Sequence, residues 1–279
     1  MQFGVCGDPA LAAIAARASY DFAEWSVGPL LNPRGSEDAF RAALGETRVA
    51  GIPYRVVNGF VPEDLKITGP EACSSELEKY VTVTCRRAEQ ADIEVIVFGS
   101  GSARQFPEGF DAQVAREQLV SFGRMAAEIA GCHGIVIAVE PLNRLECNIL
   151  TTLSECAALV REVAHPALRL LTDSFHLMRE GDSYRDIVAN ADLLSHVHIA
   201  TGETRAAPGV EPCDFEPFFA ALAEAGYDGR ISIETRIADP EKELPAALSL
   251  MRRLTEMTAD ALQARTRGRQ RSAFSRYKN

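Results

Sequence analysis

Short apolar runs alternate along this chain with longer segments in which apolar residues recur at helical spacing. The clearest run, residues 134–139, is apolar without polar alternation, as in a strand that is covered on both faces by an α/β layer. Glu140 follows this run, and Pro141, which cannot donate to a β-ladder, ends the strand there. A carboxylate directly after a buried parallel strand occupies the position at which α/β barrels keep their reactive groups.

The same pattern predicts eight strands that alternate with helices. The strands are predicted at residues 2–6, 20–27, 54–60, 93–98, 134–139, 168–172, 194–199 and 230–233. Helices are predicted at residues 11–17, 37–44, 76–89, 117–129, 153–163, 184–191, 215–225 and 244–264. We therefore predict an α/β fold that is a single (β/α)8 TIM barrel over residues 1–264, because no linker or change in composition divides the chain. Residues 265–279 are predicted to form a basic C-terminal tail.

A doubly wound open sheet is the alternative for this order of elements. That fold usually carries a Gly-rich phosphate-binding turn after its first strand. The corresponding residues here read CGDPALA, which is not such a turn. The length of 279 residues and the hydrophobic content of 47% also suit one barrel with a large core.

Charge is unevenly distributed along the chain. The net charge is −10, but residues 265–279 carry +6, so residues 1–264 carry −16. Nucleic-acid binding depends on a basic surface, so an acidic chain argues against a polyanion as the main partner. The basic tail is interpreted as a frayed or partner-packed end rather than as a nucleic-acid arm.

The cysteine pattern bears on the cellular compartment. The seven cysteines are odd in number and form no CxxC pair, which predicts reduced thiols, with neither a disulfide framework nor a structural zinc site. No apolar run approaches the ~18 residues of a membrane span, and the N-terminus leads straight into a strand without a secretion signal. We therefore expect a soluble, cytoplasmic protein.

Four consecutive predicted strands, the fifth to the eighth, end on or next to an acidic or imidazole side chain. These residues are Glu140, Asp173, His198 and Glu234. Closure of a barrel brings neighbouring strand ends to one mouth, so the four side chains would share a pocket. Three crowded carboxylates repel strongly unless a cation lies among them. We therefore predict a metal site with three oxygen ligands and one nitrogen ligand, which suits a hard to borderline divalent ion.

Each of these residues also has an ordinary structural interpretation, which for Glu140 is a solvated loop acid after a core strand. Asp173 could cap the helix that begins with the sequence DSFH. His198 could be a hydrogen-bonded core histidine, which is the interpretation we prefer for His196 on the same strand face. Glu234 could form an ion pair with Arg236. The coincidence of four such residues on adjacent strands favours the metal site.

Several segments of this chain match a known pattern. The densest matches are VEPLNRLE, LTDSFH, HVHI and GYDGRISIET, with a looser one at FGSGSARQFPEGF. In these segments the chain resembles the xylose-isomerase-like superfamily of barrel proteins. Within it, the chain is similar to the sugar isomerase/epimerase group that includes the ketose 3-epimerases and hydroxypyruvate isomerases. The resemblance runs from the first strand to the eighth and is specific for the family, but weak for the substrate.

The resemblance implies a cofactor and a set of binding residues. One divalent metal ion, manganese in the first place and magnesium or cobalt as alternatives, would be held by Glu140, Asp173, His198 and Glu234. His176 and Glu146 would bond substrate hydroxyls, and Arg205 would hold the oxygen-rich end of the substrate. The chain departs from the family between His198 and Arg205, where IATGET is one residue longer than is usual in the ketose 3-epimerases.

A site of this kind would act on a hydroxy-ketone or hydroxy-aldehyde. Loss of the proton beside the carbonyl gives an enediolate, and moving that proton needs two bases. Glu140 and Glu234, on strands that are not adjacent, are the predicted catalytic residues. Return of the proton to the opposite face gives an epimer, and return to the neighbouring carbon interconverts aldose and ketose. The predicted function is therefore a metal-dependent sugar isomerase or epimerase.

Two other functions fit the same residues: a dehydratase of cyclic polyols of the inosose type, and a catalytically silent barrel subunit. Apurinic-site endonucleases of this superfamily need several zinc ions and many histidines, whereas this chain has five, none in its first 132 residues. The expected partners are a small-molecule sugar and further copies of the chain in a homo-oligomer, with no nucleic acid and no membrane. Substrate specificity is expected from the first four strand ends, at Cys6, Glu24, Trp25, Asn58 and Phe98.

Overall fold

Eight parallel strands close into a barrel in a computed structural model of the chain. The structure describes the backbone of residues 1–276 and the side chains of residues 1–264. Each strand pairs in parallel with the next, and the last pairs with the first. The predicted single (β/α)8 barrel is thereby confirmed. The strands are β1 (Gln2–Cys6), β2 (Phe22–Ser26), β3 (Tyr54–Asn58), β4 (Val95–Phe98), β5 (Val136–Val139), β6 (Leu168–Asp173), β7 (Leu194–Ile199) and β8 (Arg230–Ile233).

Eleven α-helices surround the barrel over the part of the chain that the structure describes. They are α1 (Pro9–Arg17), α2 (Val27–Leu31), α3 (Glu37–Thr47), α4 (Ser74–Gln90), α5 (Gly101–Arg104), α6 (Ala112–Cys132), α7 (Leu153–Val163), α8 (Ser174–Glu180), α9 (Tyr184–Ala189), α10 (Glu216–Glu224) and α11 (Pro240–Arg276). Eight of them lie where helices were predicted from the sequence. The short helices α2, α5 and α8 were not predicted, and each directly or closely follows a strand at the mouth of the barrel.

The second strand shows why one boundary differs from its prediction. Residues 20–27 were predicted as a strand, but β2 ends at Ser26 and the chain turns into α2. Pro29 lies in the first turn of α2, where a backbone N–H has no partner inside the helix, so its missing donor costs nothing there. The apolar residues Val27, Leu30 and Leu31 are buried by this turn of helix instead of by a longer strand.

The barrel interior has an apolar layer toward the amino ends of the strands. Phe22, Val56, Val95, Val97, Ala138 and Leu171 form it. Gly4 leaves the space for the ring of Phe22, because a Cβ atom there would lie 2.4 Å from that ring. Strand side chains alternate between the two faces, so Glu24 and Glu140, two positions beyond Phe22 and Ala138, also face the interior. The carboxyl half of the interior is therefore polar.

A much larger apolar layer lies between the strands and the helices. The ring of Phe98 belongs to it and packs against Phe60 and Phe122, with ring centroids 6.0 and 5.2 Å away. The expectation that Phe98 contributes to substrate specificity is therefore wrong, since its side chain points away from the mouth. Burial of such aromatic and aliphatic groups is the main stabilising contribution to a fold of this size.

The last helix is longer than predicted. Residues 244–264 were expected to be helical, whereas α11 extends from Pro240 to Arg276. Its buried residues Leu244, Ala247, Leu248 and Met251 belong to the layer between strands and helices. The side chains of the predicted basic tail, residues 265–279, lie outside the described side chains, and the division of the chain at residue 264 stays a prediction. None of the helices in the described range is long and apolar enough to cross a lipid bilayer.

Candidate metal centre

The four strand-end residues converge at the mouth of the barrel. Glu140 directly follows β5, Asp173 is the last residue of β6, His198 lies near the end of β7, and Glu234 directly follows β8. One potential ligand atom of each lies within 4.8 Å of those of the others. The first three are buried and Glu234 is partly buried. The structure thus brings together all four residues that were predicted to share a pocket.

His198 occupies the centre of this group. Its Nδ1 atom lies 3.0 Å from Oε1 of Glu140 and 3.3 Å from Oε2 of Glu234. Its other nitrogen, Nε2, lies 3.0 Å from Oε1 of Glu24 on the far side of the barrel interior. The ring is fully buried, so its orientation is fixed by these carboxylates. Nδ1 is the nitrogen that faces the mouth.

Asp173 is both a helix cap and a member of the cluster. Its Oδ1 atom accepts a hydrogen bond of 2.8 Å from the backbone N–H of Phe175, which caps α8. Its Oδ2 atom is buried and has no hydrogen-bond partner among the described residues. The two interpretations of Asp173 from the sequence are therefore compatible, because each uses a different oxygen. A buried carboxylate oxygen without a partner is costly unless a cation or a donor binds it.

His176 lies beside Asp173 on α8, and its side chain is buried. Its Nδ1 atom accepts a hydrogen bond of 3.0 Å from the backbone N–H of Asn143, so Nε2 carries the proton of the neutral ring. Burial lowers the pKa of His176, which favours this neutral form. Nε2 lies 3.6 Å from Oδ2 of Asp173 and has no hydrogen-bond partner among the described residues. It is a donor directed into the pocket.

Arg205 reaches the same pocket from the loop after β7. Its Nη2 atom lies 2.5 Å from Oε2 of Glu234, and its Nη1 atom 3.7 Å from Oε1 of Glu146 at the rim. The guanidinium lies 4.7 Å from the ring centroid of Phe175, which is a cation–π contact. Glu234 therefore pairs with Arg205 rather than with Arg236, the partner considered from the sequence.

The longer loop before Arg205 is compatible with this position. The backbone N–H of Ala206 donates to Oγ1 of Thr201, at 2.8 Å, and the N–H of Thr201 donates to the carbonyl of Ala206, at 2.9 Å. These bonds close the segment into a turn, in which Arg205 adopts the left-handed conformation with φ 56°. With the loop closed in this way, the Arg205 side chain contacts the Glu234 carboxylate.

The electrostatics of the cluster are dominated by negative charge. Burial, and then the Glu234 carboxylate, raise the pKa of Asp173 to about 6 and also raise the pKa of Glu140. Burial opposes ionisation of Glu234, but His198 and Arg205 outweigh it and lower the pKa of Glu234 to about 2. Burial likewise opposes the His198 cation, but Glu24, Glu234 and Glu140 outweigh it and raise its pKa. The carboxylates outnumber the cations that the protein supplies.

These features fit a divalent metal ion. Three carboxylates and one imidazole form a donor set that is suited to hard or borderline divalent ions. The Oδ2 atom of Asp173, with the Arg205 guanidinium 3.8 Å away, provides a ligand atom without breaking a hydrogen bond. A dication would also balance the negative charge that raises the carboxyl pKa values. Glu140, Asp173, His198 and Glu234 could therefore hold such an ion.

Two residues that the sequence analysis did not identify support Glu140. Arg104 is fully buried, and its guanidinium donates to the backbone carbonyls of Phe98, Glu140 and Leu150, at 3.2, 2.8 and 3.1 Å. It thereby ties the ends of β4 and β5 together. Gly99 provides space for the Glu140 carboxylate, because a Cβ atom at position 99 would lie 2.4 Å from Oε2 of Glu140. Both residues lie in the segment FGSGSARQFPEGF, which the sequence analysis gave only as a looser family match, because their contacts are with the neighbouring strand.

A polar layer lies directly beneath the cluster. Glu24 contacts both histidines of β7: its Oε2 atom lies 3.0 Å from Nε2 of His196, and its contact with His198 is given above. Oγ of Ser232 lies 3.2 Å from the same nitrogen of His196. The expectation that His196 is a hydrogen-bonded core histidine is confirmed. Glu24 is fully buried, so its expected contribution to substrate specificity through direct contact is not supported.

Two known epimerases are similar to this chain in sequence. A ketose 3-epimerase from Arthrobacter globiformis is 35% identical over 114 residues, which cover 40% of this chain and 39% of that protein. A D-psicose 3-epimerase from Ruminiclostridium cellulolyticum is 25% identical over 225 residues, covering 78% of this chain and 75% of that protein. The matched part of the chain thus spans about two fifths of the first relative and three quarters of the second.

Solved structures show the same fold. A crystal structure of D-psicose 3-epimerase with D-tagatose from Clostridium cellulolyticum H10 superimposes with a TM-score of 0.79 and covers 91% of this chain and 99% of that one. The sequence identity in this comparison is 22%, so it concerns the fold alone. A sequence model described as xylose isomerase-like TIM barrel matches residues 12–254. Since this match includes most of the closed barrel and all four residues of the cluster, the chain belongs to the xylose isomerase-like TIM barrel family.

Proposed function

We propose that this protein is a divalent-metal-dependent sugar isomerase or epimerase that acts on a ketose, an aldose or a related hydroxy-carbonyl compound. The observation that carries the proposal is the buried convergence of three carboxylates and His198, with one ligand atom of each within 4.8 Å of the others. The names of the relatives, ketose 3-epimerase and D-psicose 3-epimerase, support sugar epimerisation within this class.

The proposed cofactor is one divalent ion held by Glu140, Asp173, His198 and Glu234. Manganese is our first choice, with magnesium and cobalt as alternatives. Three carboxylates suit manganese and magnesium, and the imidazole is a better ligand for manganese than for magnesium. When bound, the ion would supply Lewis-acid stabilisation for negative charge that develops on the oxygens of the substrate.

Two carboxylates are placed to move a proton. Glu140 and Glu234 follow β5 and β8, which are not adjacent, and both face the mouth. Burial keeps the pKa of Glu140 raised, whereas Arg205 and His198 keep Glu234 ionised. Two carboxylates on opposite sides of one carbon atom can each accept or return a proton. We propose that one removes the proton beside the carbonyl and that the other returns a proton.

Three further residues are proposed to bind the substrate. Nε2–H of His176 is a buried donor without a partner among the described residues, which suits a substrate hydroxyl. Arg205 presents a guanidinium that is fixed on the ring of Phe175, and Glu146 accepts a hydrogen bond of 2.8 Å from the side-chain amide of Asn143 at the rim. A polyol with several hydroxyl groups offers donors and acceptors for each of them.

The cellular setting of this activity is proposed from the cysteines. All seven are free in the structure, which is compatible with a reducing compartment, and we propose the cytoplasm. Assembly into a homo-oligomer stays a prediction, which light scattering on the purified full chain would test.

The activity is tested by metal analysis of the purified protein, followed by incubation of the manganese-loaded enzyme with ketoses, aldoses and inosose-type polyols in deuterated water. Deuterium incorporation at the carbon beside the carbonyl, with formation of an epimer or an aldose–ketose pair, is the expected result. Loss of water from an inosose would instead identify a dehydratase. A metal-loaded protein that exchanges no carbon-bound hydrogen with any of these compounds would contradict the proposal.

A further inference from the structure

Both nitrogens of His198 are engaged inside the barrel, but by different groups. Nδ1 faces Glu140 and Glu234 at the mouth, whereas Nε2 lies 3.0 Å from Oε1 and 3.2 Å from Oε2 of Glu24. Glu24 lies on β2, 174 residues away in sequence, and reaches His198 across the interior. An imidazole ring held at both nitrogens cannot rotate to exchange them without breaking these contacts.

Glu24 itself is held in place for this contact. Its carboxylate is fully buried, and its second partner is Nε2 of His196, at 3.0 Å. The apolar ring of Phe22 lies beneath this level, with its centroid 6.3 Å from that of His196. A buried carboxylate needs hydrogen-bond donors, because burial without them costs several kcal/mol. Here the donors are the two imidazoles of β7.

We propose that Glu24 is a positioning residue of the metal centre. Its carboxylate accepts the Nε2–H hydrogen bond of His198 and thereby directs the Nδ1 lone pair toward the ion held with Glu140, Asp173 and Glu234. A ligating histidine is commonly oriented by a carboxylate on its other nitrogen, which also makes the ring a stronger ligand. Glu24 does not line the mouth and acts through His198 rather than on the substrate. The inference rests on the metal centre of the proposed function.

A second ion is the competing interpretation of the same residues. Ligand atoms of Cys6, Glu24 and His198 also lie within 4.8 Å of one another. In that arrangement Nε2 of His198 would have to ligate the second ion. Both nitrogens lie 3.0 Å from a carboxylate oxygen. Nδ1 belongs to the cluster of three carboxylates, which includes the Asp173 oxygen that accepts no hydrogen bond. Nε2 has only the Glu24 carboxylate, which also contacts His196. We therefore favour one ion and a supporting carboxylate.

The proposal is tested by titrating the purified protein with manganese. Binding is measured as the decrease in the electron paramagnetic resonance signal of free Mn²⁺. Glu24→Leu removes the acceptor, whereas Glu24→Gln keeps the volume and one acceptor oxygen. We expect Glu24→Leu to raise the manganese dissociation constant by about 10- to 100-fold and Glu24→Gln to raise it less. Cys6→Ala removes a candidate ligand of the second ion and should leave the stoichiometry at one ion. Glu203→Gln, at an exposed loop position, is the control that should leave manganese affinity unchanged.

Circular dichroism of the metal-free variants separates positioning from folding. Glu24→Gln should keep the helical spectrum, and its weaker manganese binding then cannot be attributed to unfolding. Wild-type affinity in both Glu24 variants would overturn the inference, as would two ions per wild-type chain of which Cys6→Ala loses one. These outcomes differ from a failure of the proposed function, in which the wild-type chain binds no manganese or binds it and exchanges no substrate hydrogen.

Discussion

A Cβ atom on Gly99 would lie 2.4 Å from Oε2 of Glu140. Gly99 follows β4 and Glu140 follows β5, and the last residues of these strands, Phe98 and Val139, are paired in register. The carboxylate thus occupies the space that a side chain at position 99 would fill. Real Cβ atoms make no contact this short. A larger residue at position 99 therefore requires the Glu140 carboxylate or the backbone of residue 99 to move.

Gly99→Ala is therefore expected to displace the Glu140 carboxylate while leaving the barrel folded. A shift of about 1 Å in a reacting group can cost about 10²-fold in rate, and we expect a loss of this size in turnover together with weaker manganese binding. Gly28→Ala is the matched control, because a Cβ atom there meets no heavy atom within 4 Å. Turnover of Gly99→Ala within twofold of the wild type would show that Glu140 tolerates displacement.

Glu140→Gln and Glu234→Gln test the two proposed bases. Each substitution keeps the volume and one ligand oxygen but removes the ability to accept a proton. We expect each to lower turnover by about 10²-fold or more at saturating manganese, which is the scale of general acid–base catalysis. Glu203→Gln, at an exposed position of the loop after β7, should have no effect. Proton exchange into the substrate in deuterated water is the measurement, and near-normal exchange in either variant would contradict its role.

Much of this site could be predicted from the sequence because strand ends are local features. The apolar run of β5 is closed by Glu140 and Pro141, and β7 and β8 have the boundaries that were predicted. Closure of a barrel then brings the ends together whatever the intervening helices do. The family resemblance added His176, Glu146 and Arg205, and the structure places all three at or next to the cluster.

The residues that could not be predicted depend on contacts across the barrel. Glu24 meets His198 only because closure of the barrel places β2 and β7, with β1 and β8 between them, around one interior, a relationship that no local pattern contains. Phe98 was assigned to the mouth because it lies at the end of β4. This strand is apolar on both faces, so periodicity does not show which of its side chains point inward. Arg104 resembles a surface charge in the sequence, and only its three carbonyl partners explain its burial.

Asp173→Asn separates the two functions of Asp173. An asparagine oxygen can still accept the backbone N–H of Phe175 and cap α8, but it brings no charge to the metal centre. We expect metal-free Asp173→Asn to unfold at nearly the wild-type urea concentration and to bind manganese at least about tenfold more weakly. Asp173→Ala should lose the cap as well, at about 1 kcal/mol. Equal manganese affinity in wild type and Asp173→Asn would remove Asp173 from the ligand set.

Arg205→Lys tests whether the planar guanidinium matters beyond its charge. Lysine keeps the positive charge near Glu234 but loses the fork geometry and the stacking on Phe175. We expect KM for the substrate to rise about tenfold. Arg179→Lys is a close control, because Arg179 lies over the same ring at 5.6 Å but donates to the carbonyl of Glu203 at the surface. Equal effects of the two substitutions on KM would show that only packing on Phe175 is involved.

Metal removal is expected to destabilise the protein as well as to inactivate it. An ion that binds only the folded state stabilises it by about 2.7 kcal/mol at a concentration one hundred times its dissociation constant. In a barrel of this size, about 1 kcal/mol of stabilisation raises Tm by a few degrees. At the same manganese concentration, the Tm of the chelator-treated protein should therefore rise by about 5–10 °C. The carboxylates of Glu140 and Asp173, whose pKa values are raised by burial and then by Glu234, are the source of this gain.

Asp173→Asn in the same scan identifies where the ion binds. Its Tm should respond to manganese only at much higher concentrations, since the variant lacks one of the proposed ligand oxygens. Calcium is a useful second ion, because its larger radius and preference for six to eight oxygens suit this cluster poorly. A manganese-dependent rise that is the same in wild type and Asp173→Asn, or one that calcium reproduces, would place the binding elsewhere on the acidic surface and would contradict a metal centre at the barrel mouth.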